Sequence, residues 1–600
     1  MRRMSFAGIV AATMVSGAAA WAMASGSMSA DTRASTDAVQ VVSGGTEIAS
    51  NAAPAGWSVA GGSGVAPSTP AGSDFVFGVQ THFSQGWGAS VLDAVSRLDV
   101  HNLRDTVAWA AAERSRGLYD FSSPAVATLD RFCRQGGKLT LTIVPKNPLY
   151  DGGVTVYSTA GQAGYAAYLA ALATRFGSCL SALEVGNEVN GAGTLNYPAG
   201  YDRAATYVST LRMLYPRVKA AAPHVAILGG STNAIGTGFL ATLFAAGMLN
   251  AVDGIAVHPY RSTAEGIDLE IARLRTVMAG YGTPKPIWAT EYSFGLSDQS
   301  EQAAALIKSA IQLRASGVRQ ANWYAVLEQK HFPYMGLVDQ AGEKLAAQAL
   351  RTLKTRLLPY GVPQEIDSQG RPIKLYRLGT DRWIVWGDEV TMDFGPSATV
   401  RNMLGTVVGS GGHVRVSDAP LIVEGTTQFS FGEDPVIGDS LYQFGGADWS
   451  YFRRDRNGVE TKLGWFDTDF TSHFGDRWSK PLRINIDSAA TAGDARSPMR
   501  AVVRYTAPRT MSVDVGLCLS KTVSGDGVDY LVEKNGQKLA AGVLVSRATL
   551  SGLKMNLARG DRLDVSFGPN QVAGGDALRY RIVIGRHDRN GAAICTATMS

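Results

Sequence analysis

Two glutamates stand at the ends of short apolar runs, and they are the side chains with the clearest potential for chemistry. Glu188 follows the run in "LEVGNEVN", and Glu291 follows the run in "PIWATEYSFG". A carboxylate is rarely left unpaired in a protein core, because removing its charge from water is costly. Two carboxyl groups that face each other over a cleft form a chemical pair instead, in which one donates a proton while the other attacks or activates water. The pattern predicts such a pair if the fold brings the two residues together.

The scaffold is indicated by the alternation of β-branched runs with Ala- and Leu-rich helical segments. Eight runs occur over about 290 residues, which is typical of a (β/α)8 TIM barrel. The runs are FVFGVQ, VHNLRDT, KLTLTIV, SALEVGN, VAILGGS, DGIAVHP, PIWATEY and ANWYAVL. The alternative, an open doubly wound sheet, lacks the glycine-rich phosphate turn expected after its first strand. The sequence therefore predicts an α/β fold built on a barrel.

Residues at the carboxyl ends of barrel strands form the active site in this fold. Glu188 follows the fourth run and Glu291 the seventh, so the two carboxyl groups are expected to face each other across the mouth. Cleavage of a glycosidic bond needs such a pair. A solvated loop acid and a structural ion-pair partner are the alternatives for these two residues. Five further polar or aromatic residues are predicted to bind substrate: Arg104, Asn187, His258, Tyr260 and Trp323.

The predicted roles of these neighbours differ. Arg104 beside Glu291 would keep that carboxylate ionised through its charge. Tyr260 is expected to orient Glu291, and His258 to form hydrogen bonds in the same shell; a structural role is an equal alternative for each. Trp323 is predicted as the floor of the sugar site, although a buried tryptophan is commonly part of the core. Glu184 is interpreted as structural, pointing into the barrel or pairing with Arg104.

Three motifs carry a resemblance to a known clan. "LEVGNEVN" resembles the Glu-x-Trp-Asn-Glu-Pro motif of retaining glycosidases with (β/α)8 barrels, in which an Asn–Glu pair ends strand four. "PIWATEYSFG" resembles the strand-seven motif of that clan, and "GIAVHPY" its strand-six signature. The resemblance implies that Glu188 is the acid/base, that Glu291 is the nucleophile, and that Asn187 binds the 2-hydroxyl group of the substrate.

Further segments are similar to glycoside hydrolase family 39 over about residues 74–425. They are "NLRDTVAWAAAERSRGLYDF", "MGLVDQAGEKLAAQALRTL" and a small β-domain after the barrel. Gly186 and Val189 stand where the clan motif has Trp and Pro. The family includes xylosidases, iduronidases and bacterial enzymes that trim exopolysaccharide. The resemblance implies a retaining hydrolase of an extracellular poly- or oligosaccharide, with a bacterial exopolysaccharide as one candidate.

Two other functions fit the same residues. A transglycosylase would use the same two glutamates with a sugar acceptor in place of water. A non-catalytic carbohydrate-binding protein would keep the groove alone. The presence of both glutamates argues against pure binding, since a binding protein has no need of a carboxylate pair.

The composition changes along the chain predict five segments. Residues 1–24 resemble a signal peptide, and residues 25–72 read as a disordered linker rich in Ala, Gly, Ser and Thr. The barrel is predicted over 73–355, a small β-domain over 356–425, and a C-terminal β-sandwich, a candidate carbohydrate-binding unit, over 426–600. The protein is therefore expected to be exported, either to the periplasm or as a secreted protein.

Charge and composition indicate few partners besides carbohydrate. The net charge is +5, and no cluster of basic residues suggests nucleic acid. No membrane association is expected once the signal peptide is removed. The histidines are scattered without metal-ligand spacing, so no cofactor and no metal are predicted. The oligomeric state is left open.

The sequence contains four cysteines, which permit disulfides in an exported protein. Of three possible pairings, the one within predicted domains joins Cys133 to Cys179 and Cys518 to Cys595. Free buried thiols are an equal alternative for the first pair and a weaker one for the second.

Overall fold

The computed structural model describes residues 75–479, 481–572 and 574–586. The predicted signal peptide (1–24) and linker (25–72) lie outside these residues. In the part of the chain that is described, no helix is long and apolar enough to cross a membrane.

Eight parallel strands close into a barrel in which each strand pairs with its neighbours in sequence, and this confirms the predicted TIM-barrel fold. Their inward and outward faces are almost entirely buried, which explains why they read as continuous apolar runs. The strands are β1 Val76–Gln80, β2 Asn102–Asp105, β3 Lys138–Ile143, β4 Leu180–Val185, β5 Ala226–Asn233, β6 Gly254–His258, β7 Ile287–Tyr292 and β8 Gln320–Trp323.

One principal helix follows each strand. Four of these helices begin at a side chain that caps the first turn by accepting a backbone N–H, namely Ser123, Ser158, Asp202 and Asp298. The helices are α1 Val91–Arg97, α2 Pro124–Arg134, α3 Thr159–Phe176, α4 Arg203–Ala221, α5 Thr237–Ala245, α6 Ile267–Ala279, α7 Gln299–Ala315 and α8 Leu345–Thr352. Short helical turns lie at Phe83–Gln85, Trp109–Ala112, Asp151–Gly153, Gly177–Cys179, Met248–Asn250, Leu353–Leu357 and Leu358–Tyr360. Short hairpins pair Glu113–Ser115 with Leu118–Tyr119, and Val338–Asp339 with Gly342–Glu343.

Two antiparallel sheets come after the barrel. The six-stranded sheet has the order Gln364–Glu365, Ile373–Leu378, Arg382–Gly387, Leu421–Glu424, Thr399–Asn402 and Val407–Ser410. The three-stranded sheet has the order His413–Arg415, Thr391–Asp393 and Ser430–Phe431. The last of these strands lies beyond residue 425, where the sequence analysis ended the small β-domain.

Two larger antiparallel sheets follow. The eight-stranded sheet runs Gly464–Asp467, Ser472–Gly475, Arg483–Ile484, Ser488–Ala490, Ala577–Gly585, Met511–Lys521 and Arg547–Leu557, with Val436–Asp439 also paired to Ala577–Gly585. The six-stranded sheet runs Glu460–Lys462, Trp449–Arg454, Arg500–Thr506, Arg562–Pro569, Val528–Lys534 and Gln537–Leu544. Rings from the two sheets stack on each other, as Tyr451 does on Phe474 at 4.2 Å between centroids. The pair of sheets is the β-sandwich.

A disulfide joins Cys133, in the last turn of α2, to Cys179, which directly precedes β4. This confirms the first predicted pairing. It lies near the amino ends of the barrel strands, on the side opposite to the mouth. Cys595 lies outside the described residues, so the Cys518–Cys595 pairing stays a prediction.

The β-sandwich contacts the barrel at loops that follow its strands. Arg273 on α6 forms an ion pair with Asp467 at 2.7 Å. The Asn190 Nδ2 donates to the carbonyl oxygen of Asp469 at 2.6 Å. A Cβ atom at Gly236 would lie 2.3 Å from that same carbonyl oxygen, so this position needs glycine for the close approach. The sandwich is thereby held beside the mouth of the barrel.

Candidate active site

A cleft of about 1560 Å³ opens over the carboxyl ends of the barrel strands. Its lining includes both predicted catalytic residues, Glu188 and Glu291, and also side chains from the β-sandwich. The two carboxyl groups are close, because one oxygen from each and one ring nitrogen of His258 all lie within 4.8 Å of one another. The structure therefore brings together the two glutamates that the sequence analysis paired.

A tight left-handed turn presents Glu188 to the cleft. The strand β4 ends at Val185, after which Gly186 has φ 84° and Glu188 has φ 48°. A Cβ atom at Gly186 would lie 2.6 Å from Cγ1 of Val189. The glycine that replaces the tryptophan of the clan motif is thus required by this turn, both for its positive φ and for space.

The contacts of Glu188 are an amide and an imidazole. Asn233, at the end of β5, donates from Nδ2 to Oε1 of Glu188 at 2.9 Å. The His258 Nδ1 lies 3.5 Å from the same oxygen. The side chain of Glu188 is 14% exposed, so it can reach a ligand in the cleft.

The contacts of Glu291 are stronger donors. Arg104 donates from Nη1 to Oε2 at 2.5 Å, and the Tyr260 hydroxyl donates to Oε1 at 2.6 Å. Tyr260 therefore orients Glu291, as predicted. A charged donor and a hydroxyl on its two oxygens hold the side chain of Glu291 in one position.

A buried ionic network supports this pair from below. Arg104 donates from Nε to Glu184 at 2.7 Å, which confirms the predicted structural pairing. Glu184 also contacts His258 at 3.0 Å and accepts from the hydroxyls of Ser231 and Thr290. Burial alone would raise the pKa of Glu184, but the charge of Arg104 and the bonds from His258 hold it well below its usual range. Glu184 is therefore a fixed negative charge beneath the site.

Comparison with known families gives the chemistry of this arrangement. Residues 187–348 match the family model described as the glycosyl hydrolase catalytic core. That segment includes both Glu188 and Glu291. The protein is a glycosidase. Its substrate is accordingly a carbohydrate.

Solved structures of glycoside hydrolases are similar to this protein. A family 39 glycoside hydrolase from the gut symbiont Bacteroides cellulosilyticus WH2 is 18% identical, with a TM-score of 0.50, over 58% of this chain and 80% of that chain. A family 39 β-xylosidase from Caulobacter crescentus is 15% identical, with a TM-score of 0.42, over 58% of this chain and 96% of that chain. No curated protein matches the sequence. The first of these structures supports the predicted resemblance to family 39 at the level of the fold.

His258 needs a correction of its predicted contact with substrate. The side chain is fully buried and lies beneath the carboxyl groups of Glu188 and Glu291, where it contacts Glu184 and Glu188. Burial lowers the pKa of His258, but the charge of Glu291, the hydrogen bond to Glu184 and the carboxylate of Glu188 at 3.5 Å outweigh it and raise the pKa to about 9. In the glycosidase His258 is a protonated positioning residue.

The same group of atoms is the one place among the described residues that could hold a metal ion. It comprises one carboxylate oxygen each from Glu188 and Glu291 and one ring nitrogen of His258. A histidine binds metal through its neutral imidazole. Because a cation would have to displace the proton of His258, whose pKa is about 9, metal binding at this place would compete with protonation of the ring.

Replacing His258 with glutamine should make the Tm less dependent on pH above pH 6.5. The folded pKa of about 9 lies above the ordinary value of 6.5. The protonated ring therefore stabilises the fold fully below pH 6.5, and this stabilisation is lost as the pH rises through 9. Between pH 6.5 and 9.5, the Tm of the wild type should fall by roughly 5 °C more than the Tm of His258→Gln. This corresponds to a difference on the order of 2 kcal/mol in the free energy of unfolding. Scanning calorimetry of both proteins measures it, and parallel profiles would show that His258 is neutral in the folded state.

Trp323 also needs correction, because it does not form the floor of the cleft. Its side chain is fully buried, and its Nε1 donates to the carbonyl oxygen of Met335 at 2.9 Å. The ring packs against Tyr292 and Phe294 in the core. The adjacent residue, Tyr324, lines the cleft instead.

Two asparagines, Asn187 and Asn233, lie beside the two glutamates in the cleft. Asn187 lines the cleft, and its Oδ1 accepts from Nη2 of Arg104 at 2.9 Å. Its role at the 2-hydroxyl group stays a prediction. Asn233 was not predicted, although its position at the end of β5 is the signal that could have identified it. Its bond to Glu188 makes it part of the site.

Proposed function

We propose that this glycosidase is a retaining enzyme that cleaves an extracellular poly- or oligosaccharide through a covalent glycosyl-enzyme. The observation that carries the proposal is the separation of the carboxyl groups of Glu188 and Glu291, whose nearest oxygens lie within 4.8 Å. Inverting enzymes place their carboxyl groups roughly 6.5–9.5 Å apart to leave room for water, whereas retaining enzymes place them about 5–5.5 Å apart.

The contacts of the two carboxyl groups support different roles. Glu291 is the nucleophile, because the guanidinium of Arg104 and the hydroxyl of Tyr260 each donate to one of its oxygens and hold the side chain in one orientation. Glu188 is the acid/base, since its contacts are weaker: the amide of Asn233 donates to it at 2.9 Å, and the ring of His258 lies 3.5 Å away, whereas Arg104 contacts Glu291 at 2.5 Å. Two carboxyl groups in unlike surroundings divide the work of acid and base between them.

The reaction proceeds in two displacements. An oxygen of Glu291 forms a bond to the anomeric carbon while the glycosidic C–O bond breaks, and Glu188 gives its proton to the leaving oxygen. Glu188 then takes a proton from water, and the water oxygen bonds to the anomeric carbon as the ester to Glu291 breaks. Both residues return to their starting protonation states.

The size of the cleft supports a polymeric substrate. Its volume of about 1560 Å³ exceeds the roughly 300–1,000 Å³ of sites that enclose one small ligand. Several sugar units therefore fit, and a bacterial exopolysaccharide remains the candidate that the family resemblance implies. We also propose that the enzyme works outside the cytoplasm, in the periplasm or as a secreted protein, since the Cys133–Cys179 disulfide is typical of oxidising compartments.

The stereochemistry of the first product tests the mechanism. Proton NMR of the sugar released from a panel of aryl glycosides should show, before mutarotation, the anomeric configuration of the substrate. A product of inverted configuration would contradict the two-displacement mechanism. If no glycoside or polysaccharide is turned over while carbohydrate still binds, the protein is a binding module and the proposal fails.

A further inference from the structure

One wall of the cleft is formed by the eight-stranded sheet of the β-sandwich. In this sheet Arg483 lies opposite Ala490, and Arg579 lies opposite Ser488. Directly opposed residues of antiparallel strands point to the same face, and so do residues two apart in one strand. The two arginines therefore project from one face, two strands apart, with small side chains between them. We call this face the sandwich wall and define it by Arg483, Ser488, Arg579 and His473.

The arginines of the sandwich wall have no partner in the part of the chain that the structure describes. Arg483 and Arg579 both line the cleft and are half-buried, yet neither forms a side-chain hydrogen bond or ion pair with any residue in the described ranges. Burial lowers the pKa of Arg483, and no neighbouring carboxylate opposes the effect. A half-buried guanidinium that has no anionic partner in the protein is available to pair with an anion that enters the cleft. Their counter-charge is therefore expected from a ligand.

The other charged groups of the cleft do not supply that counter-charge. Arg261 forms an ion pair with Glu270 at 3.2 Å, and Arg104 is paired with Glu291. The one acid on the sandwich side of the cleft lining is Asp487, among the described residues, and it accepts a hydrogen bond from Ser262 of the barrel.

His473 is an independent sign of a ligand at the sandwich wall. It lines the cleft and is 3% exposed, and neither ring nitrogen has a hydrogen-bond partner. It lies on the face of Arg483, because the adjacent Phe474 pairs with Ile484 on the opposite face. Burial, and then the charge of Arg483, lower its pKa to about 4. The neutral ring therefore has one donor and one acceptor free for a polar ligand.

We propose that the sandwich wall binds an anionic sugar unit of the polysaccharide, with Arg483 and Arg579 contacting its carboxylate or sulfate group and His473 a neighbouring hydroxyl. Guanidinium groups suit such anions because their planar forks donate paired, charge-assisted hydrogen bonds. The wall and the catalytic pair line one cleft, so a single chain would reach both. The inference rests on the proposed function for its polysaccharide substrate, and it specifies an acidic one.

Calorimetric titration of the full chain carrying Glu291→Gln tests the binding without turnover. The probes are oligogalacturonides, sulfated galacto-oligosaccharides and neutral xylo-oligosaccharides of equal length. We expect at least one acidic series to bind about tenfold more tightly than the neutral one, with an affinity that falls as salt is added. Adding Arg483→Gln or Arg579→Gln should remove most of that preference, and Arg483→Lys should restore part of it. A preference for carboxylate or for sulfate identifies the group that is bound.

The matched control is Arg496→Gln, which removes one charge from an exposed position of the same sandwich outside the cleft. Its affinities should equal those of the parent, and Tm values should show that all variants fold. The proposal of an anion site at the sandwich wall is overturned if acidic and neutral series bind equally and the arginine variants bind as the parent does. This holds even if the wild type proves to be a retaining enzyme. Conversely, if binding depends on the arginines but the wild type turns over no substrate, the anion site is supported and the proposed function is contradicted.

Discussion

Replacing Glu291 with glutamine should lower kcat/KM for every glycoside by on the order of 10⁴-fold or more. Glutamine keeps the shape of the side chain but cannot form the glycosyl ester, so no leaving group, however good, rescues the first displacement. The amide would also face the guanidinium of Arg104, which now contacts the carboxylate at 2.5 Å. Initial rates on dinitrophenyl and unactivated glycosides measure the loss.

The matched control for this variant is Glu343→Gln. Glu343 is a carboxylate of the same barrel that pairs with Arg97 and Arg351 outside the cleft. The Glu343→Gln variant should retain full activity. A 2-fluoro glycoside with a good leaving group should label the wild type on Glu291, as peptide mass spectrometry would show. Activity of Glu291→Gln above about 1% of the wild type, or a label on another residue, would contradict the assignment of the nucleophile.

The barrel and the catalytic pair could be predicted because both are encoded locally. Each strand is an apolar run, and each glutamate follows one. The pairing of Glu184 with Arg104 followed from the cost of an unpaired buried charge. Strand ends meet at one side of a barrel, so residues far apart in sequence were correctly placed in one site.

The contacts that depend on register were not predictable. In the pairing of β7 with β8, Ala321 lies opposite Ala289 but Trp323 opposite Tyr292, so β7 has one extra residue. Such a bulge breaks the alternation of side chains between faces. Thr290 and Glu291 are adjacent, yet both reach the interior network. The sequence pattern does not show the bulge. Trp323 lies in β8, where Gln320 and Asn322 point into the barrel, so its ring takes the opposite face and packs in the core.

The sandwich wall could not be predicted from the sequence for a different reason. The sequence predicts a candidate carbohydrate-binding unit in the C-terminal region, yet three of the aromatic rings near its start, those of Tyr442, Trp449 and Tyr451, are buried in the core. The polar face that does line the cleft depends on how the sandwich docks, through contacts such as Arg273 with Asp467. These contacts join residues from separate folding units, and no local pattern in either segment predicts them.

Replacing Glu188 with alanine should separate the two displacements. Loss of the proton donor should slow the cleavage of unactivated glycosides by about 10²–10⁴-fold. Dinitrophenyl glycosides need no proton on the leaving group, so Glu291 should still be glycosylated at a rate close to that of the wild type. The glycosyl-enzyme should then accumulate, because no base remains to activate water. A burst of dinitrophenol followed by slow turnover measures both effects.

Azide should restore turnover of this variant and thereby define the role of Glu188. The alanine leaves space beside Asn233 and the protonated ring of His258, which attract a small anion to the place of the lost carboxylate. Azide needs no general base, so it should attack the glycosyl-enzyme and give a glycosyl azide with the configuration of the substrate. Glu188→Gln is the matched control, since it fills the space and should respond less. If azide instead restores Glu291→Ala and gives a glycosyl azide of inverted configuration, the roles of the two glutamates are reversed.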